Sequence, residues 1–306
     1  KSARRYSATN TRSRSRKAPS VPRRRRPGPR HASNRAGPDM EIGMTEKLKQ
    51  IAARHRLPPE EIGRRTERIY QRLLHESRFL DAGNFTVIHP RDLERMFDLY
   101  DESFFQGLCR DVIRGRQQTI EFRLSKRMTK TGGKTTRFQW RAHPRAMLST
   151  SYEIAISTTL LFQTFGDVQR PVRVSGVPCS NRLQAMQRIL EHELVHLVEM
   201  LVWNDSNCAA PRFQCITQRL FGHTDHTHDL ITPGERARKR FGIQPGDRVR
   251  FRLNGIAHEG IVNRITKRAT VLVEDRRGAP YSDGKRYSKF YVPLMLLEPC
   301  RGQVES

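Results

Sequence analysis

The sequence has 306 residues, enough for about two domains and a tail. Its 57 Lys and Arg against 31 Asp and Glu give a net charge of +26, which points to polyanionic partners, nucleic acid before membrane. No apolar run approaches a transmembrane span, and five scattered cysteines without a C-x-x-C pair exclude a disulfide framework and a zinc ribbon.

Residues 1–44 read as a disordered basic tail. Up to residue 38 it holds thirteen Lys and Arg and no Asp or Glu, with Ser and Pro between them. Two readings of it stay open, an arm that grips phosphates and a segment at a sequence boundary close to Met40 and Met44. The rest of the chain carries the other +13, so the folded part is expected to be basic by itself.

Residues 45–85 read as a helical extension, with Leu48, Ile51, Ile62, Ile69, Leu73 and Leu74 as its apolar stripe and Pro58-Pro59 as a break. A stronger helix is expected from 91 to 115, where Leu93, Met96, Phe97, Tyr100, Phe104, Phe105 and Leu108 form a core face. The period then changes. Thr119–Leu124 and Thr135–Trp140 alternate like two strands of a hairpin turned at Thr131-Gly132-Gly133, and 152–158 reads as a third strand. The order of helix, small antiparallel sheet and helix argues an α+β fold.

The next helix carries the chemistry. Leu183, Met186, Leu190, Leu194, Leu197 and Leu201 recur at steps of three and four, with Ser180 or Asn181 as N-cap. Within it lies His192-Glu193-Leu194-Val195-His196. Imidazoles four residues apart share a helical face and can hold one ion, while Glu193 can act as general base on a water bound to that ion. Glu199 is on the same face but about 10 Å along the axis from His192, too far to share the ion.

A polar loop, Asn204-Asp205-Ser206-Asn207, follows. A helix is expected from Pro211 to Phe221, closed by Gly222, and then come His223, His226 and His228. From 242 to 300 short strands alternate between Gly-rich turns, which suggests a small SH3-like β-barrel. Arg248, Arg250, Arg252, Arg264, Lys267, Arg268, Lys285, Arg286 and Lys289 are interleaved there with Phe251, Tyr281, Tyr287 and Phe290, a pattern that suits nucleic-acid backbones and exposed bases.

The His-Glu-Leu-Val-His motif, the polar loop, Pro-Arg-Phe opening the next helix, and Leu99-Tyr-Asp-Glu-Ser-Phe-Phe in the earlier helix together resemble the SprT-like zinc metallopeptidases over roughly residues 86–230. That family includes the Spartan-type proteases that degrade proteins crosslinked to DNA, and some bacterial members carry a C-terminal module like the barrel expected here. The resemblance implies a zincin-like metallopeptidase domain over 86–235, Zn²⁺ as cofactor, protein substrates and DNA as partner; the scattered cysteines, with no signal-peptide h-region at the start, make a cytoplasmic setting the default expectation, with nucleoid association as an option. The resemblance also implies a third ligand, a histidine four residues before an aromatic at the start of the following helix. With the aromatic matched to Phe213, that position is Ala209. Cys208 beside it is the most economical substitute, and His223 is second, beyond a helix spanning roughly 16 Å. With neither, the site would be weak or inactive. The alternative from another class is a non-catalytic nucleic-acid-binding protein with a structural metal site.

Overall fold

A computed structural model describes residues 4–5, 38–141, 143 and 147–300. Most of the expected disordered tail therefore lies outside the described residues. Its last part does not behave as a tail, because the first helix starts at Pro38. Among the described residues the fold is α+β, with eight helices, and no helix is long and apolar enough to cross a membrane.

In chain order the elements are β1 (Arg4–Arg5), α1 (Pro38–Arg54), α2 (Pro59–Glu76), α3 (Pro90–Phe105), α4 (Leu108–Gly115), β2 (Thr119–Ser125), β3 (Gly133–Trp140), β4 (Ser149–Ser157) and α5 (Thr158–Thr164). They continue with β5 (Val172–Val174), β6 (Val177–Cys179), α6 (Arg182–Trp203), α7 (Pro211–Phe221), β7 (Thr227–His228), α8 (Pro233–Phe241), β8 (Arg248–Leu253), β9 (Ile256–Ile265), β10 (Ala269–Pro280), β11 (Arg286–Val292) and β12 (Glu298–Pro299). Two compact units result. One contains the chain up to Thr158 together with Pro171–Asp229, and the other contains Thr159–Arg170 together with the chain from Leu230. The sequence reading kept 159–170 inside a single block, 86–235, whereas in the structure this segment belongs to the C-terminal unit.

In the first unit the helix expected from 91 to 115 is two helices. Gln106 (φ 59°) and Gly107 (φ 78°) both turn left-handed, which ends α3. Asp101 in the last turns of α3 then accepts from the backbone N–H of Cys109 (3.0 Å) and Arg110 (2.9 Å), capping α4. Tyr100 and Phe104 of α3 stack 5.5 Å apart and meet Phe221 of α7.

The three-stranded sheet has the order β2-β4-β3, with β2 parallel and β3 antiparallel to β4. The expected hairpin between β2 and β3 is therefore absent, and the sheet is mixed. β4 carries the buried row Tyr152, Ile154, Ala155 and Ile156, so it takes the centre, and the less buried strands flank it. β5 and β6 form a tight hairpin through Ser175 (φ 52°) and Gly176 (φ 77°), the two positive-φ residues that a type I′ turn requires. This hairpin delivers the chain to Asn181, whose Oδ1 accepts from Gln184 N–H (3.0 Å) as the N-cap of α6. Almost every residue of α6 from Leu183 to Leu201 is buried.

The second unit contains a five-stranded antiparallel sheet with the order β11-β10-β9-β8-β12. Val249, Phe251, Val262, Val271 and Val292 point into its core beside Ala237 of α8, while Arg248, Arg250 and Arg252 alternate outward. Thr232 caps α8 by accepting from Glu235 N–H, and Arg170 pairs bidentately with Glu235 (2.8 and 3.1 Å).

Candidate metal centre

Helix α6 brings His192 and His196 together as the four-residue spacing requires. Their Nε2 atoms are 3.2 Å apart, and Cys208 Sγ joins them in a buried group whose ligand atoms all lie within 4.8 Å of one another. Two nitrogens bound tetrahedrally to one zinc ion, each at 2.0–2.1 Å, would be separated by about 3.3 Å. The spacing and the donor set, two imidazoles and a thiol, both fit a metal ion of the zinc type.

The electrostatics agree. Burial drives the pKa of His192 well below its ordinary value, helped by the neighbouring histidines, and burial alone takes His196 down to about 3. Both rings are thus neutral at pH 7, the form that ligates. The Phe213 ring covers them, with centroids 4.7 Å from His192 and 4.5 Å from His196.

A relay fixes the orientation of His196. Arg212 Nε donates to Glu199 Oε1 (2.6 Å), and Ser206 Oγ donates to Glu199 Oε2 (2.7 Å). Since the Ser206 proton is committed to the carboxylate, His196 Nδ1–H must donate to Ser206 Oγ (2.7 Å), which leaves the Nε2 lone pair facing His192 and Cys208. Arg212 also lies over the Trp203 ring, 4.8 Å from its centroid.

Glu193 projects from α6 towards β3. Its Oε2 is 2.8 Å from Thr135 Oγ1, and its buried Oε1 has no hydrogen-bond partner among the described residues. Burial pushes its pKa up to about 8, against the pull of Thr135 and Lys134. Gly133 is what lets the strand come this close, since a Cβ there would lie 2.6 Å from Glu193 Oε1 and 2.7 Å from Ile189 Cγ2. The loop before it is clamped by Gly132 N–H donating to His228 Nε2 (3.0 Å) and by Ser157 N–H donating to Gly132 O (2.8 Å).

The other candidates are placed elsewhere. Ala209, where the resemblance expects a histidine, is exposed, and the buried side chain at this point of the loop is Cys208. His223 does not join the group. Its Nε2 meets Glu191 Oε2 at 2.8 Å, and Glu191 also receives Arg188 (3.0 Å) and Tyr100 (2.8 Å). Burial lowers the pKa of His223 despite that carboxylate. His226 is half-buried beside Asp225, and His228 holds the Gly132 loop, so both are structural. Sequence reasoning missed Ser206, Thr135 and Gly133. The available signals were a hydroxyl on the inward face of an alternating strand and a double glycine at its start.

Comparisons with family models, with curated proteins and with solved structures found no match to this chain.

Proposed function

We propose that this chain is a zinc-dependent endopeptidase of the SprT-like, zincin type that acts on DNA-associated proteins, including crosslinked ones, with Glu193 as general base. The observation that carries this reading is the buried pair of neutral imidazoles 3.2 Å apart, with Cys208 beside them and Glu193 on the neighbouring face of the same helix. The motif resemblance over 86–230 supports it.

A zinc ion held by His192, His196 and Cys208 would supply Lewis-acid activation of water and of the scissile carbonyl. Burial holds the Glu193 carboxyl above the ordinary carboxylate range in the metal-free chain, and a cation held beside it would favour the ionised, proton-accepting form. Thr135 holds Oε2 in place. The unpartnered Oε1 takes the proton from the attacking water and returns it to the leaving amine. Phe213 and the sheet exclude bulk solvent around these groups. The basic strands of the second unit, read as a small SH3-like barrel, and the overall +26 charge support nucleic acid as partner.

The test is Glu193→Gln, with a basic DNA-binding protein as substrate in the presence of single-stranded DNA. Cleavage should vanish while zinc content by elemental analysis and DNA affinity persist. Cleavage that survives the substitution would remove Glu193 from the chemistry. Zinc without any cleavage in the parent chain would leave the structural-metal alternative.

A further inference from the structure

A second polar site lies at the far end of α6. On the face of β3 turned towards α6, the residues in order are Gly133, Thr135, Arg137 and Gln139, so the strand that holds Glu193 continues past it. Arg137 is opposite Tyr152, and Gln139 is opposite Thr150, on the ladder with β4. Together with Arg116, Gln118 and the C-terminal turn of α6 up to Asn204, these residues enclose a pocket of about 240 Å³.

The two arginines differ in a way that assigns the pocket a charge preference. Arg116 is neutralised. Its Nε bonds Glu41 (2.7 Å), and its other nitrogens go to Leu201 O and Thr45 Oγ1. Arg137 has no carboxylate partner among the described residues. Its terminal nitrogens reach only Asn204, through Oδ1 and through the backbone O (3.2 Å). Its Nε is buried without a hydrogen-bond partner among the described residues, and so is Gln118 Oε1. A guanidinium that lines a pocket with no carboxylate to balance it favours an anion there, which its terminal nitrogens can meet with charge-assisted hydrogen bonds. The rest of the wall is mixed: the amides and hydroxyls of Gln118, Gln139, Thr150 and Tyr152 can donate to an oxyanion, beside Met200, Leu201 and Val202. The pocket is large enough to take a phosphate group.

We propose that this pocket binds a phosphate group through Arg137, and that the group belongs to the backbone of single-stranded nucleic acid. Phe138 and Trp140 are exposed (44% and 50%) on the opposite face of edge strand β3, near the same end, where their rings offer stacking to unpaired bases of a strand that rounds the sheet edge. A free phosphate ester would use the pocket and leave these rings idle. The choice of nucleic acid rests on the partner proposed above; the phosphate chemistry of the pocket does not.

The experiment uses the full chain, a fluorescent twelve-residue oligodeoxythymidylate, and thymidine 5′-monophosphate as the small probe. Arg137→Gln removes the cation. Gln139→Glu adds an opposing charge at an exposed strand position and leaves the Asn204 bonds intact. Arg64→Gln, at an exposed helical position, is the control. Both pocket variants should weaken oligonucleotide binding by about tenfold and make the log–log salt slope shallower by about 0.7, the value for one phosphate contact on a single strand, with the control within twofold of the parent. Tenfold loss for the monophosphate alone upholds the pocket and overturns its assignment to nucleic acid. A parent chain that binds the monophosphate and ignores the oligonucleotide refutes the nucleic-acid partner but not the pocket. Both variants within twofold of the parent on both probes overturns the proposal.

Discussion

Replacing Ser206 with alanine should weaken zinc binding by ten- to a hundredfold without unfolding the chain. The substitution deletes two 2.7 Å bonds, one to His196 Nδ1 and one to Glu199 Oε2. Glu199 keeps Arg212 at 2.6 Å and the Asn207 N–H at 3.3 Å, so it stays paired. The loss therefore falls on His196, which is only 2% exposed. An orphaned buried donor costs about 1–3 kcal/mol, and loss of a ligand's orienting partner costs 10–100-fold in metal affinity, so the two routes agree. Zinc affinity is read by competition with a chromophoric chelator for the parent, Ser206→Ala and Ser206→Thr, the last of which restores a hydroxyl. Thermal melts in excess chelator check that folding is intact. Zinc affinity of the alanine variant within twofold of the parent would refute the relay as the device that orients His196.

Gly133→Ala forces a Cβ to within 2.6 Å of Glu193 Oε1 and 2.7 Å of Ile189 Cγ2, and should cost about 1–3 kcal/mol, seen as a melting point lower by roughly 2–12 °C; an unchanged melting point would contradict the close approach. In metal-free protein Glu193, with its pKa raised to about 8, keeps a proton that the unfolded chain releases from about 4.5 upward, so its contribution to stability declines as pH rises through that interval. Urea melts should accordingly show Glu193→Gln gaining on the parent by about 2 kcal/mol between pH 6 and pH 8, whereas parallel pH profiles would count against the shift. His196, depressed to about 3, acts in the opposite sense: stability is lost as pH falls below about 6.5 towards 3, and His196→Gln should flatten that acid limb in chelator. Cys208→Ser should lower zinc affinity at least about hundredfold with little change in the metal-free melt, and His223→Gln should do the reverse, lowering the melt and sparing zinc; equal effects on zinc would mean that Cys208 is not the third ligand.

The parts of this architecture that depend on local periodicity were legible in the chain. The stripe from Leu183 to Leu201 and the cap at Asn181 define α6, and Pro211 with Gly222 brackets α7. The histidine pair followed from helix geometry alone. Strand pairing was not legible, because Thr119–Ser125 and Gly133–Trp140 alternate equally well as hairpin partners, and only the greater burial of Tyr152–Ile156 puts β4 between them. The break at Gln106-Gly107 was hidden by an apolar face that continues across it. Thr135 depends on long-range closure, 58 residues from the group it holds, and Ser206, only 10 residues from His196, depends on a loop turn that periodicity does not encode.

Helix α6 is enclosed along almost its whole length, so the turn bearing the two imidazoles has no slack with which to swing. Cys208 is different, since it hangs on a short link that leaves the helix through the left-handed Asn204 (φ 60°). For an ion to enter, it is this link rather than the rod that would have to yield. Its stiffness would set how quickly a metal enters and departs, and substitutions at Asn204 or Asp205, which leave the Ser206 hydroxyl in place, should change exchange rates while the paired rings stay where they are.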